Sequence, residues 1–195
     1  QMANSVLNKI TMGLEYALFR TGPLAMAPSQ LGLFAKSDAH IATPDLQYHI
    51  QPLSTEKLGE PLHTYPAITA SVCNLRPESR GTIHIKSRSI NEHPAITPNY
   101  LSAPRDCTVA AASIRMTRKI MAANALAKFD PEEVLPGSHI ITDEELVIEA
   151  GKIATTIFHP IGTCKMGHDP MAVVDDRLKV HGLECIRVID ASVMP

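Results

Sequence analysis

The chain has 195 residues, with 18 basic against 20 acidic side chains and a formal net charge of -2. That balance gives no electrostatic footprint for nucleic acid and no basic run suited to a membrane surface, and the hydrophobic content of 45% argues against a disordered chain. No apolar stretch approaches the roughly 20 residues that span a bilayer, and no basic start followed by an apolar run reads as a signal peptide.

The first element in chain order is a helix from about Asn4 to Phe19, where Val6, Ile10, Leu14 and Ala17 recur at spacings of three and four. Gly22-Pro23 closes it. Strands follow. Between Asp45 and Gln51, Leu46, Tyr48 and Ile50 alternate with Gln47, His49 and Gln51. Ile68, Ala70 and Val72 alternate with Thr69 and Ser71, and Ile83 and Ile85 with Thr82, His84 and Lys86. Alternation of period two predicts antiparallel pairing with one buried and one polar face.

A helix is expected from about Arg105 to Lys128, with Val109, Ala112, Met116, Ile120, Ala123 and Ala127 as its apolar stripe. Arg115, Arg118 and Lys119 read as its solvated face. Thr142 followed by Glu145 is a capping box that opens another helix, with Asp143 and Glu144 suited to its positive end. Its stripe is Leu146, Ala150, Ile153 and Ile157, and Pro160 stops it near Phe158, which leaves His159 at the helix carboxyl end. A loop spans Pro160 to Asp169. Extended pieces follow at Ala172 to Val174 and Cys185 to Ile189, with a turn at His181-Gly182 between them. Strands first and helices later, without βαβ alternation, predict an α+β fold: an antiparallel or mixed sheet backed by helices.

Chemistry concentrates in two places. In Phe158-His159-Pro160-Ile161-Gly162-Thr163-Cys164-Lys165-Met166-Gly167, a histidine at a helix end precedes a proline and two flexible glycines, well placed to carry a proton in a cleft. On pattern alone, a histidine that merely caps helix carbonyls is the readier reading. In Cys185 to Ser192, an apolar strand ends in Asp190 and small residues, the kind of strand end beside which nucleotides sit; an ordinary turn fits as well.

Weaker candidates are Cys164 with His168 as metal ligands, Cys164 as a nucleophile with His159 as base, and the polar face Gln47, His49, Gln51 as a substrate contact. The four cysteines form no C-x-x-C pair, so neither a disulfide framework nor structural zinc is expected, and a reducing compartment follows. No two of the ten glycines are spaced as G-x-G, so the usual dinucleotide fingerprint is missing.

The run His159 to Gly167, then Ala172-Val173-Val174-Asp175, Leu178 to Leu183, and Arg187-Val188-Ile189-Asp190-Ala191-Ser192-Val193-Met194-Pro195, resembles the carboxyl-terminal signature of the glucose-methanol-choline oxidoreductases. Thr21-Gly22-Pro23-Leu24, Pro44 to His49, Arg76 to Gly81, and Pro94-Ala95-Ile96 with Asn99-Tyr100-Leu101 look like landmarks of the same family, nearest its choline dehydrogenase-like branch.

The resemblance implies a parent protein that binds FAD and oxidises a primary alcohol, choline-like or aliphatic, to the aldehyde by hydride transfer to the flavin. Residues 1–158 would be a substrate-binding domain, and residues 159–195 the active-site loop with a partial FAD-domain segment. His159 matches the family's active-site histidine, and Asp190 and Ala191 match the segment that passes close to the cofactor.

Gln1 and Pro195 read as cut ends. The glycine-rich cradle and a second active-site residue belong to segments outside this stretch, so the chain alone is expected to bind no flavin and to be inactive, with self-association or disorder after about Gly167. The expected location is cytoplasmic, peripheral to the inner membrane, with no nucleic-acid partner and an unspecified electron acceptor. The competing reading is a free-standing binding or interaction module without catalysis; a cysteine hydrolase is a third.

Overall fold

A computed structural model describes residues 5–27, 29–55 and 59–195. Helix α1 spans Val6–Phe19, as the apolar spacing predicts; Asn4, where the expected helix begins, lies outside the described residues. It ends where Arg20 enters the left-handed region (φ 56°) and its N–H turns back to the Tyr16 carbonyl, 3.0 Å away. None of its residues is buried.

Three strands, β1 (Leu31–Ala35), β2 (Leu46–Gln51) and β3 (Thr69–Asn74), form one antiparallel sheet in that order. β1 carries no signal of its own in the sequence, since Leu-Gly-Leu-Phe-Ala lacks polar alternation and most of it stays exposed. Two shorter strands, β4 (Thr82–His84) and β5 (Ala95–Thr97), pair separately. Gly81, just before β4, lies so close to β5 that an added Cβ would meet the Thr97 carbonyl and come within 2.7 Å of the Pro98 carbonyl. Backbone cannot yield there as a flexible side chain could.

The central strand β2 divides its faces as its alternation predicts. Leu46 and Tyr48 are 0% exposed and pack on Val109 of helix α2 (Pro104–Met121), with Ile50, Val72, Met116 and Ile120 around them. Tyr48 donates its hydroxyl to the Ser113 carbonyl at 3.1 Å and meets the Thr117 hydroxyl at the same distance. Burial pushes its pKa up, with the Thr117 hydrogen bond opposing, so the phenol stays a neutral donor. Gln47, His49 and Gln51 fall on the opposite face, where Gly32 and Ser71 flank His49 in register.

Helix α2 ends at Met121 rather than Lys128. A 3-10 turn at Asn124–Phe129 and a left-handed Asp130 (φ 45°) swing the chain back so that Glu133 reaches Arg118. Arg118 grips both Glu133 oxygens at 2.8 and 2.9 Å and donates to the carbonyls of Ile140 (2.8 Å) and Gly137 (3.1 Å). This overturns the reading of Arg118 as solvated. Its planar fork matches the carboxylate and fastens the whole loop. Arg115 likewise pairs with Asp143 and the Ile141 carbonyl, and Lys119 stays exposed.

The start of α2 is fixed from a distance. Asp106 is 5% exposed and accepts the backbone N–H groups of Glu78 (2.9 Å) and Ser79 (2.8 Å) and the Asn74 amide (3.2 Å). The Ser79 hydroxyl in turn accepts the N–H groups of Ser102 and Ala103 at 3.1 Å. Burial alone would raise the Asp106 pKa. The Ser79 hydroxyl, the two backbone N–H groups and the Arg80 charge outweigh it and hold the carboxyl below its usual range.

Helix α3 (Asp143–Ile153) opens with the predicted capping box: Glu145 N–H reaches the Thr142 hydroxyl at 3.3 Å and the Glu145 carboxylate accepts the Thr142 N–H at 3.2 Å. It packs on α2 through buried Leu146 and Ala150, whereas Ile153 and Ile157 of the expected stripe are exposed. It stops at Ile153, short of Phe158. Thr155-Thr156-Ile157 is a β-branched run, and a threonine hydroxyl competes there for backbone N–H groups. No helix among the described residues is long and apolar enough to cross a membrane.

Candidate active site

The segment after α3 carries His159. Ala154 is already extended (ψ 148°), so the histidine lies on an irregular stretch beyond the helix rather than at its end. The cap reading therefore loses its helix. The Thr156 hydroxyl accepts the Phe158 N–H at 3.0 Å, and Phe158 sits in the left-handed region at φ 62°. His159 is exposed, and among the described residues its ring has no hydrogen-bond partner. Both imidazole nitrogens are thus open to a ligand.

Downstream, the loop is braced on both sides by backbone. Cys164 and Met166 donate to the carbonyls of Ser192 (3.0 Å) and Val193 (2.8 Å), while the Lys165 carbonyl accepts the Val173 N–H at 3.0 Å. Gly167 donates to the Val174 carbonyl at 3.0 Å, and the His181 Nε2 meets the Gly167 carbonyl at the same distance. Gly162 adopts φ 83°, and a Cβ there would stand 3.7 Å from the Met194 carbonyl. The histidine-bearing loop and the Asp190–Met194 segment, separate in sequence, are neighbours. The expected extended pieces near 172–174 and 185–189 survive only as isolated bridges, with Val174 buried at their centre.

Asp190 and Ala191 are exposed at the start of a 3-10 turn, Ala191–Val193. The Asp190 carboxylate accepts the Ser192 N–H at 2.8 Å. The Ser192 hydroxyl and that N–H hold its pKa below the usual carboxylate value. Asp169 and Asp175 use the same device, each accepting the N–H two residues on, at 2.9 Å. The ordinary turn that the sequence allowed at Asp190 is thus present, and Asp169 and Asp175 share it without having been singled out by spacing. Nor does spacing single out Thr156, in the β-branched run shortly before His159-Pro160.

The weaker candidates do not assemble. Among the described residues no hydrogen bond joins Cys164 or His168 to His159, and no group of three or more histidine, cysteine or acidic side chains could hold a metal. The polar face of β2 is half-buried, and the helix α2 covers the other side of the sheet. On it, Gln51 donates to the Ser29 hydroxyl at 3.1 Å.

A family model described as GMC oxidoreductase matches residues 77–195. An alcohol dehydrogenase [acceptor] of Pseudomonas putida is 40% identical over 195 residues, which is 100% of this chain and 35% of that protein. An oxygen-dependent choline dehydrogenase of Proteus mirabilis is 42% identical over 188 residues, 96% of this chain and 34% of its own length. The chain thus spans about a third of the curated relatives it matches. Among solved structures, pyridoxine 4-oxidase from Mesorbium loti is similar with a TM-score of 0.74 and 27% identity, over 84% of this chain and 33% of that one. A formate oxidase from Aspergillus oryzae RIB40 reaches a TM-score of 0.85 at 22% identity, over 100% of this chain and 39% of that one, a likeness of fold alone.

Proposed function

Because the chain belongs to the GMC oxidoreductase family, we propose that it supplies the substrate-binding part and one proton-handling residue of an FAD-dependent oxidoreductase acting on a primary alcohol. In this reading residues 1–158 form the substrate domain and residues 159–195 the active-site loop with a partial cofactor-binding segment. Choline-like or aliphatic alcohols are the substrate class, in keeping with the names of the relatives.

The observation that carries the proposal is the open, exposed imidazole of His159 on a loop hydrogen-bonded to the Asp190–Met194 segment. His159 takes the proton from the substrate hydroxyl at an imidazole nitrogen, which favours departure of a hydride from the adjoining carbon. Proton handling of this kind is worth about a hundredfold to ten-thousandfold in rate. FAD, when bound, supplies the hydride acceptor.

Residues of this chain fit such a group in part. Asp190 and Ala191 offer an exposed edge with a small side chain, against which a flat ring can lie. The chain has no G-x-G cradle for a pyrophosphate, so that role falls to the part of the relatives' length that it does not span.

The test uses the longer protein that contains this chain, under anaerobic conditions. Addition of a primary alcohol should bleach its flavin absorbance, and His159→Ala should slow the bleaching at least about a hundredfold. Absence of bound flavin, or a flavin that no alcohol reduces, would sink the proposal in favour of a binding module without catalysis.

A further inference from the structure

We propose that Thr156 is a positioning residue for His159, acting through its hydroxyl. The inference rests on His159 being the proton carrier. Between Ala154, the last residue tied to α3, and Gly162, the first tied to the downstream loop, one hydrogen bond is made among the described residues: Thr156 Oγ1 accepting the Phe158 N–H at 3.0 Å. From 151 to 161, moreover, Thr156 alone is partly covered; the residues on either side are exposed.

That bond holds an unfavourable conformation. Phe158 stands at φ 62°, where a side chain other than that of glycine or asparagine is costly. A threonine hydroxyl that captures the N–H two residues on is the local device that offsets such a turn. Pro160 restricts His159 from the other side by disfavouring helical geometry before it. The histidine is therefore clamped by a chemical constraint on each flank: the ring of Pro160 after it and the Thr156–Phe158 bond before it. A misplacement of about 1 Å at a reacting group can cost about a hundredfold in rate, so a single hydroxyl here has leverage beyond its own bond strength.

Valine matches the shape of threonine without the hydroxyl, and serine keeps the hydroxyl without the methyl group. In the longer flavin-bound protein, Thr156→Val and Thr156→Ala should lower the rate of flavin reduction per bound flavin about tenfold or more, with the alcohol's dissociation constant changed less than about twofold. Thr156→Ser should restore the rate. Crystal structures supply a readout independent of turnover: Phe158 should leave the left-handed region in Thr156→Val, with the His159 ring redirected, and stay there in Thr156→Ser. Wild-type rates in both Val and Ala variants, or a Ser variant as impaired as the Val variant, would overturn the role. If no alcohol reduces the wild-type flavin, the proton-carrier reading fails, and the crystal structures alone then decide whether Thr156 sets the direction of His159.

Discussion

The sheet and helices of residues 31–153 and the stretch from 154 to 195 are held by different forces. In the first, side chains do the holding. Leu46, Tyr48 and Leu146 are 0% exposed, each such burial worth about 1.5–3 kcal/mol, and Asp106 and Arg118 tie distant loops to α2. In the second, Val174 is the one buried residue, and order comes from backbone hydrogen bonds and aspartate turns. Each of those bonds is worth about 0.5–1.5 kcal/mol net. The residues read as functional, His159, Asp190 and Ala191, all belong to the second region. Their positions are set by turn chemistry and neighbouring backbone rather than by a core, and all three are exposed in this chain.

The sharpest way to break this contrast is to cut the core. Tyr48→Ala should destabilise by about 3–5 kcal/mol, because it removes a fully buried aromatic ring and its hydrogen bond to Ser113. Urea unfolding measures it, and a loss under about 1 kcal/mol would mean the sheet-helix contact is not what holds this region.

A smaller effect is expected at Asp106. Asp106→Asn should cost about 2 kcal/mol near neutral pH, since its backbone donors lose a charged acceptor. The folded pKa of Asp106 lies below the unfolded value. Its contribution is therefore complete above the unfolded pKa of about 3.9 and fades as pH falls through the lower folded value. Unfolding midpoints of the two proteins should converge below about pH 4. A constant gap down to acid pH would show that shape, not charge, is what Asp106 provides.

The smallest effect belongs to the second region. Asp190→Ala should leave the unfolding midpoint of the sheet and helices where it was, while hydrogen exchange quickens at the Ser192 amide and its neighbours. Loss of protection spreading into β2 or α2 would show that the two regions form one cooperative unit after all.

Local signals in the sequence were reliable wherever a residue's nearest neighbours decide its conformation. The alternation through Leu46 to Gln51 was enough for β2 and its two faces, and Thr142 with Glu145 was enough for the start of α3. The motif runs around His159 and Asp190 were likewise enough for the family resemblance, which the family match over residues 77–195 bears out. Other features needed partners far along the chain. Arg118 looks like any exposed helix arginine until the 124–141 segment folds back on it, and α2 could not be ended correctly without that loop. β1 has no alternation of its own and exists because β2 offers it an open edge. Nor could spacing show that Cys164 and Met166 hydrogen-bond to Ser192 and Val193. Sequence determined β2 with its two faces and the start of α3, since both depend on bonds and neighbours within a few residues. The tertiary structure decided which charges are buried and which loops meet, because long-range hydrogen bonds and packing exist only once the chain has closed on itself.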